Sequence, residues 1–328
     1  MPQRESRAEF EFTKRNVFGV EALRDHILDS RHEVIQLSNG PMRGVVAQAK
    51  LGRLSLSFGW FDQAIRDYGA MPHRSISLGT LLSKAKGASF WGSEVEVGDV
   101  GIFAEGSAED AFYSGGAGYA LVTFPADMAN DLASLMEPEV LPLLKDKSVF
   151  RPQSKFQRLI GQSTDMTLSG IQRLSLHPHE GYRATALVMS HFASLLSALN
   201  CREVASDMRY APADFKLFRR TEEYIKAIDD PVIGIPELCL QLKVSRRTLE
   251  RAFRRVVSMS PAHYLMLTRL SSARADLADG EGNVSDIAMK YGFFELGRFS
   301  SRYKEVFGEL PSTTRRCGPL NLLEQQAA

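Results

Sequence analysis

The segment from Ile235 to Phe253 leaves this chain few choices. Pro236 suits the first position of a helix, where its missing N–H is no loss. A helix from Pro236 to Leu242 puts the small Cys239 where a second helix must cross closely. Ser245 is a natural N-cap for that second helix. Within it, Leu249 and Phe253 lie four residues apart and pack inward, while Arg247, Glu250, Arg251 and Arg254 face out. A short helix, a tight turn and a basic second helix form a helix-turn-helix. The pattern then repeats. Val284 to Tyr291 reads as a helix with Ala288 at the crossing, Gly292 allows the turn and Phe293 anchors it. Glu295 to Phe307 is the second long helix, with Phe299, Tyr303 and Phe307 inward and Arg298, Ser301, Arg302 and Lys304 outward or flanking. Between the units Ser260 caps a helix, Pro261 opens it and Gly280 follows its end. Its core, Ala262 to Ala278, is a rod of roughly 26 Å at about 1.5 Å per residue. Such a rod can hold two exposed helices about one DNA turn apart, roughly 34 Å.

Charge agrees with this. The chain has a net charge of +1, but Lys243, Arg246, Arg247, Arg251, Arg254 and Arg255 crowd one short stretch, opposed only by Glu250. That is an electrostatic footprint for a polyanion. Three cysteines (Cys201, Cys239, Cys317) lie far apart and form no Cys-x-x-Cys pair, which argues against a disulfide frame or a cysteine zinc site. No apolar run is long enough to span a bilayer, and Met1 to Phe12 is charged rather than signal-like, so a cytoplasmic location is expected.

The region before about Phe124 reads as strands. Leu54, Leu56 and Phe58 alternate with Ser55, Ser57 and Gly59. Val95 and Val97 precede a turn at Gly98-Asp99 that leads into Val100 to Phe103. Ala111 to Tyr113, a glycine loop at Gly115-Gly116, and Tyr119 to Val122 read as a hairpin. Short strands at this spacing predict a sandwich or barrel. Helices are expected over Pro125 to Met136, around Phe156, Leu159 and Ile160, and over Ala184 to Leu199, which packs within the domain or against a second subunit. His191, on an apolar face of the last, reads as a packing histidine. Asp214 to Ile228 opens the final region, with Phe215, Phe218, Ile225 and Ile228 on one face. The fold class is therefore α+β: a β-barrel domain with appended helices, then an all-α domain with two helix-turn-helix units joined by a linker helix. The expected boundaries are a domain at 1–205, a linker at 206–213, the helical domain at 214–317 and a tail at 318–328.

The C-terminal stretch resembles the AraC/XylS family of bacterial regulators. The matching text is Leu238-Cys239, Val244-Ser245-x-Arg247-Thr248-Leu249, Phe253, Ser260-Pro261, Tyr264-Leu265, Arg269-Leu270, Arg274, Leu277, Ile287-Ala288, Gly292-Phe293, Leu296-Gly297-Arg298-Phe299, Tyr303, Phe307-Gly308 and Pro311-Ser312. It covers about a third of the chain, and so many matches in order are specific. Ser258 departs from the glycine that the family often carries there. The resemblance implies binding of double-stranded DNA, with base contacts at Arg247, Glu250 and Arg251 in the first unit and at Gly297, Arg298 and Ser301 in the second. Arginine can pair with guanine O6 and N7, and glutamate can accept from cytosine N4. Arg246, Arg254, Arg255, Arg302 and Lys304 are expected on phosphate. Gly297 has no side chain to read a base, so its backbone would approach the DNA.

The strand-then-helix pattern upstream resembles a cupin-type sensor of that family. The resemblance implies a small-molecule effector, a homodimer, contact with RNA polymerase and activation of transcription. Trp60, Phe90, Trp91 and Tyr113 are pocket candidates by size alone. No cofactor, metal site or catalytic residue is expected. The visible histidine cluster, His177-Pro178-His179-Glu180, follows the strands and reads as a loop and helix cap, and the Gly115-Gly116 loop lacks the setting of a phosphate cradle. A ligand-independent DNA-binding or architectural protein is the alternative. An enzyme fused to a DNA-binding module would need a reactive cysteine or metal set upstream, where only Cys201 lies.

Overall fold

The computed structural model describes residues 10–83, 87–132, 141–174, 181–200, 212–228, 232–280 and 282–321. The strands are β1 (Phe10–Val17), β2 (Arg31–Gln36), β3 (Gly44–Leu51), β4 (Leu54–Phe61), β5 (Ile65–Ala70), β6 (Ser75–Ser83), β7 (Ala88–Phe90), β8 (Ser93–Val95), β9 (Val100–Phe103), β10 (Ala108–Tyr113), β11 (Ala117–Pro125) and β12 (Ser148–Phe150). They form two antiparallel sheets, ordered β1-β3-β4-β11-β6-β9-β12 and β2-β5-β10-β7-β8. The α+β expectation holds: sheets first, helices after.

Alternation along β4 shows how the layers form. Leu54, Leu56 and Phe58 face a core shared with helices α2 (Ser154–Leu174) and α3 (Gly181–Asn200), where Phe124 of β11 lies 5.0 Å from Phe192, ring to ring. Phe61, on the opposite side, joins Leu81, Phe103 and Leu121 against Ile65, Phe90, Ala111 and Tyr113 of the smaller sheet. The larger sheet is thus covered on both faces, and β11 is buried along almost its whole length. The apolar face of α3 is used within the domain. His191 is a packing residue, as expected: its Nδ1 lies 2.9 Å from Ser163 Oγ, and burial pushes it down to about 4. Met128–Leu132 forms α1, at the start of the helix expected over Pro125 to Met136. The rest of that helix and the His177 to Glu180 cluster lie outside the described residues.

The expected hairpin is wrong. β10 pairs with β5 and β7, whereas β11 pairs with β4 and β6. Both edges of each strand are taken, so neither can pair with the other. The Gly115-Gly116 loop instead carries the chain from one sheet to the other. A Cβ on Gly115 would lie 2.4 Å from the Asp62 carbonyl oxygen, and Gly116 has a φ of +74°. The strands on either side of Gly98-Asp99, β8 and β9, also belong to different sheets.

The helical region comprises α4 (Ala213–Ile228), α5 (Ile235–Leu242), α6 (Arg246–Val257), α7 (Pro261–Asp279), α8 (Val284–Lys290), α9 (Leu296–Phe307) and α10 (Pro311–Asn321). Its ends follow the sequence signals. Ser245 Oγ accepts from Thr248 N–H, Ser260 Oγ from His263 N–H and Asn283 Oδ1 from Asp286 N–H. Gly280 takes the left-handed conformation past α7. Phe218, Phe253 and Tyr264 stack edge to face around the first unit, and Phe299, Tyr303 and Phe307 line the second.

The smaller sheet joins the two regions. In β5, Ile65, Asp67 and Gly69 point into the sandwich, while Arg66 and Tyr68 point toward α4. Arg66, fully buried, pairs with Asp110 Oδ1 at 2.6 Å on β10 and with Glu222 Oε2 at 3.0 Å on α4. Arg219 pairs with the same two carboxylates at 3.0 and 2.9 Å and lies over the Tyr68 ring. Tyr264 donates its hydroxyl proton to Glu222. Burial pushes Glu222 up, but Arg66, Tyr264 and Arg219 outweigh it and hold the carboxyl below its ordinary range. Ile35, Leu37, Ala64 and Phe112 extend the helical core across the same boundary.

Ser258, at the end of α6, has a φ of 59°. A side chain is strained there and glycine is not. Ser258→Gly should therefore stabilise the protein by about 1 kcal/mol, seen as a higher urea midpoint at unchanged slope. A lower midpoint would contradict this account of the turn.

Candidate nucleic-acid interface

Each second helix of the two units buries one face and exposes the other. On α6, Leu249, Ala252, Phe253 and Val257 are buried, and Arg246, Arg247, Arg251, Arg254 and Arg255 are exposed. On α9, Phe299, Tyr303, Val306 and Phe307 are buried, and Gly297, Arg298, Ser301, Arg302 and Lys304 are exposed. Both turns close through backbone: Val244 N–H donates to Cys239 O in the first, Phe293 N–H to Ala288 O in the second. Lys243 takes the left-handed position in the first turn (φ 53°) and Gly292 in the second (φ +73°).

The exposed cations are not equivalent. Arg247, Arg254, Arg302 and Lys304 make no ion pair with another described residue. Arg246 is tied to Glu250 at 2.9 Å one turn along, and Arg298 to Glu295 at 2.9 Å. Such exposed pairs are weak and give way to a polyanion. Arg251 and Arg255 share Asp214, at 3.2 and 2.8 Å, at the start of α4. Burial pushes Asp214 up, but hydrogen bonds from the two arginines outweigh it and hold the carboxyl low. The Arg251 side chain is still 56% exposed, so Asp214 orients it without removing it from solvent. Gly297 is exposed, and a Cβ there would meet nothing within 4 Å. The sequence missed Asp214 because its partners lie 37 and 41 positions away.

α9 is also held from outside the helical region. Gln36 Nε2 donates to Val306 O at 2.6 Å, Gly40 N–H to Glu305 O at 3.0 Å, and Asn39 Nδ2 to Glu305 Oε1 at 2.7 Å. Arg274, buried in α7, bridges Glu21 of the sandwich and Glu309 beyond α9, both at 2.7 Å.

The four aromatic pocket candidates do not share one pocket. Phe90, Trp91 and Tyr113 pack inside the sandwich with Phe103, and the Trp91 Nε1–H is satisfied by Ala108 O at 3.0 Å. Trp60 is 44% exposed on the other face of the larger sheet. It lines a cleft of about 280 Å³ with Phe12, Phe58, Tyr119 and Leu168, between that sheet and α2. Odd and even positions point to opposite faces of a strand, and size alone could not show which side each ring takes.

Sequence reading also missed a buried polar set. His26, His32, Asp67 and Glu109, all at most 2% exposed, converge between the sheets. The expectation of no metal-ligand set was drawn from local spacing, and these residues come from a turn and three strands far apart in sequence. Asp67 on the inward parity of β5, between Ile65 and Gly69, was the available signal of a buried carboxylate.

A family profile described as a helix-turn-helix domain matches residues 238–317. The XylDLEGF operon transcriptional activator of Pseudomonas putida is 36% identical over 102 residues, which is 30% of this chain and 32% of that protein. The probable thc operon regulatory protein of Rhodococcus erythropolis is 27% identical over 203 residues, 58% of this chain and 59% of that one. A solved structure, a probable AraC family transcriptional regulator from Rhodopseudomonas palustris, is 36% identical, covers 32% of this chain and 99% of its own, and has a TM-score of 0.30. The match to the Pseudomonas protein spans about a third of its length. Through its C-terminal helix-turn-helix region, this chain belongs to the AraC/XylS family.

Proposed function

We propose that this protein is a sequence-specific DNA-binding transcription regulator in which the N-terminal sandwich controls how two recognition helices are presented. One observation carries the reading: α6 and α9 expose basic faces from a single scaffold built on the 19-residue α7. At about 1.5 Å per residue that rod is roughly 28 Å long, close to one turn of duplex. Arg247, Glu250 and Arg251 are assigned to base edges in the first half-site, and Arg298, Ser301 and the Gly297 backbone in the second. Arg246, Arg254, Arg255, Arg302 and Lys304 are assigned to phosphate.

The rest of the assignment follows family habit. Residues 1–205 form the sensing or dimerising domain, 206–213 the linker, 214–317 the DNA-binding domain and 318–328 a tail. The protein acts as a non-enzymatic activator in the cytoplasm, as a homodimer responding to a small-molecule effector and contacting RNA polymerase. Among the described residues no helix is long and apolar enough to cross a membrane. The cleft beside Trp60 is the pocket offered to an effector. The effector shifts DNA affinity only by as much as it binds the two arrangements differently.

Selection from a random duplex pool with the full-length protein tests the reading. It should yield one operator contacted in two successive major grooves. No enrichment over random sequence would overturn the assignment. On the selected operator, Arg251→Ala should weaken binding by ~1–3 kcal/mol and relax one base position, with a smaller loss on random DNA. Equal losses on both would exclude direct readout there. Gly297→Ala has room in the free protein and should raise helix stability by up to ~1 kcal/mol. It should nonetheless lower operator affinity, because a methyl group would separate the helix from the DNA backbone. Unchanged affinity would remove Gly297 from the interface.

The grip on α9 gives a further expectation. Gln36→Ala with Asn39→Ala removes the two side-chain hydrogen bonds to α9, each worth about 1 kcal/mol, and the two that Gln36 makes to Ser38 O and Gly40 O within its own loop. The variant should tolerate operators whose half-sites are moved by one base pair better than the parent does. Gel-shift titrations on a spacing series measure this; identical spacing profiles would show that the sandwich does not fix the second unit.

A further inference from the structure

Between the two sheets, four buried side chains that could bind a metal meet. His26 stands in the turn before β2, His32 on β2, Asp67 on β5 and Glu109 on β10. One ligand atom from each lies within 4.8 Å of all the others. Nδ1 of His32 is 2.9 Å from Asp67 Oδ1, and Nε2 of His26 is 3.1 Å from Asp67 Oδ2. Around a metal with bonds of about 2.0–2.1 Å, neighbouring ligand atoms stand roughly 2.9–3.4 Å apart. Opposite ones stand roughly 4.2 Å apart, so a set that lies within 4.8 Å needs to close by about half an ångström at its widest.

The remaining hydrogen bonds hold one nitrogen of each ring and leave the other directed at Asp67. His26 Nδ1 faces the Leu23 carbonyl oxygen, which can only accept, so that nitrogen carries its proton. Nε2 is left to point at Asp67. Ser30 Oγ donates its one proton to Ala70 O at 2.6 Å, so it accepts from His32 Nε2 at 2.7 Å. Nδ1 is left to point at Asp67. Each imidazole therefore has one nitrogen held by an outer partner and the other aimed at a common centre, the arrangement that orients metal-binding histidines. Glu109 Oε1 accepts from Tyr113 OH at 2.7 Å, leaving its second oxygen available. Asp67 Oδ2 is wholly buried and makes no aligned hydrogen bond. An oxygen in that state is costly unless a cation meets it.

Charge selects the occupant. Once an ion displaces the protons that these nitrogens direct at Asp67, two neutral imidazoles and two carboxylates carry −2. The nearest buried cation on these strands, Arg66, points to the other face of the sheet and is already paired with Asp110 and Glu222. A divalent ion balances the set. Nitrogen and oxygen donors without thiolate suit a first-row transition metal better than calcium or magnesium, which prefer oxygen alone.

We propose that His26, His32, Asp67 and Glu109 form a binding site for one divalent first-row transition metal ion inside the N-terminal sandwich. The site stands on its own geometry and does not depend on the regulatory reading above. It differs from the aromatic cleft beside Trp60, which lies on the other side of the larger sheet.

The test uses the full-length protein, stripped with a chelator and titrated separately with Zn²⁺ and Co²⁺. One ion should bind per chain, and the thermal midpoint should rise with metal concentration. In the Co²⁺ form, two exchangeable imidazole N–H resonances should be strongly shifted, from His26 Nδ1–H and His32 Nε2–H. Asp67→Asn and Glu109→Gln should each weaken binding about 100-fold or more. A variant with His177 and His179 both replaced by Ala should bind as the parent does. Folded parent protein that takes up no stoichiometric metal would overturn the proposal, as would a Co²⁺ form lacking the two shifted resonances. Uptake lost with His177 and His179 would overturn it too, by placing the ion elsewhere. The resonances are read in the parent, so the test survives a substitution that prevents folding.

Discussion

The placement of α4 and the first helix-turn-helix unit against the sandwich depends on the buried ion network of Arg66, Asp110, Arg219 and Glu222. Two residues come from the sandwich and two from α4. Withdrawing four charges from water is expensive, and their mutual attraction offsets that cost only when the geometry is good. Any sliding of one domain over the other leaves an uncompensated charge in a buried place. The network therefore acts less as glue than as a register mark. Tyr264 extends it into α7 through Glu222, so the linker rod is located by the same carboxylate that locates α4.

A second set of contacts acts at the far end of the rod. Arg274 sits within α7 and reaches Glu21 on one side and Glu309 on the other. Glu309 accepts from Thr314 Oγ1, which in turn accepts from Tyr303 of α9. The loop at Gln36 to Gly40 holds the C-terminal end of α9 through backbone carbonyls. The first helix-turn-helix unit is thus indexed to the sandwich through α4, and the second through α7 and α9. Neither recognition helix can change its relation to the sandwich without breaking buried polar contacts. A rigid frame of this kind suits a task in which the separation of two helices must match the pitch of a duplex.

Much of the C-terminal domain was legible because its signals are local. Ser245, Ser260, Pro261 and Gly280 specify helix ends within a few residues, and the inward faces of α6 and α9 repeat at helical spacing. The sandwich was legible as strands but not as a topology. β10 and β11 are separated by a loop that looks like a hairpin turn, yet sheet membership depends on which edges are already occupied by β4, β5, β6 and β7. The buried polar groups were the least visible. Arg66 and Glu222 are 156 positions apart, and nothing near either one announces the other. Aromatic size misled for a related reason. Trp60 and Phe61 are neighbours in sequence and face opposite layers.

That parity gives the smaller sheet its particular role. On β2, β5 and β10, the residues His32, Asp67 and Glu109 point inward, and their immediate neighbours Glu33, Arg66 and Asp110 point to α4. Lys226 of α4 pairs with Glu33, completing the outward row. A strand cannot shift one face without moving the other, because successive side chains share one backbone. Displacements among the inward set are therefore passed directly to the row that indexes the DNA-binding domain. No intervening loop or hinge could absorb them. If a cation draws Asp67 and Glu109 together by a fraction of an ångström, β5 and β10 close with them. Arg66 and Asp110, ion-paired across the same two strands, respond at the domain boundary. The sandwich thus places both buried polar sets on the strands that carry its ion pairs to α4.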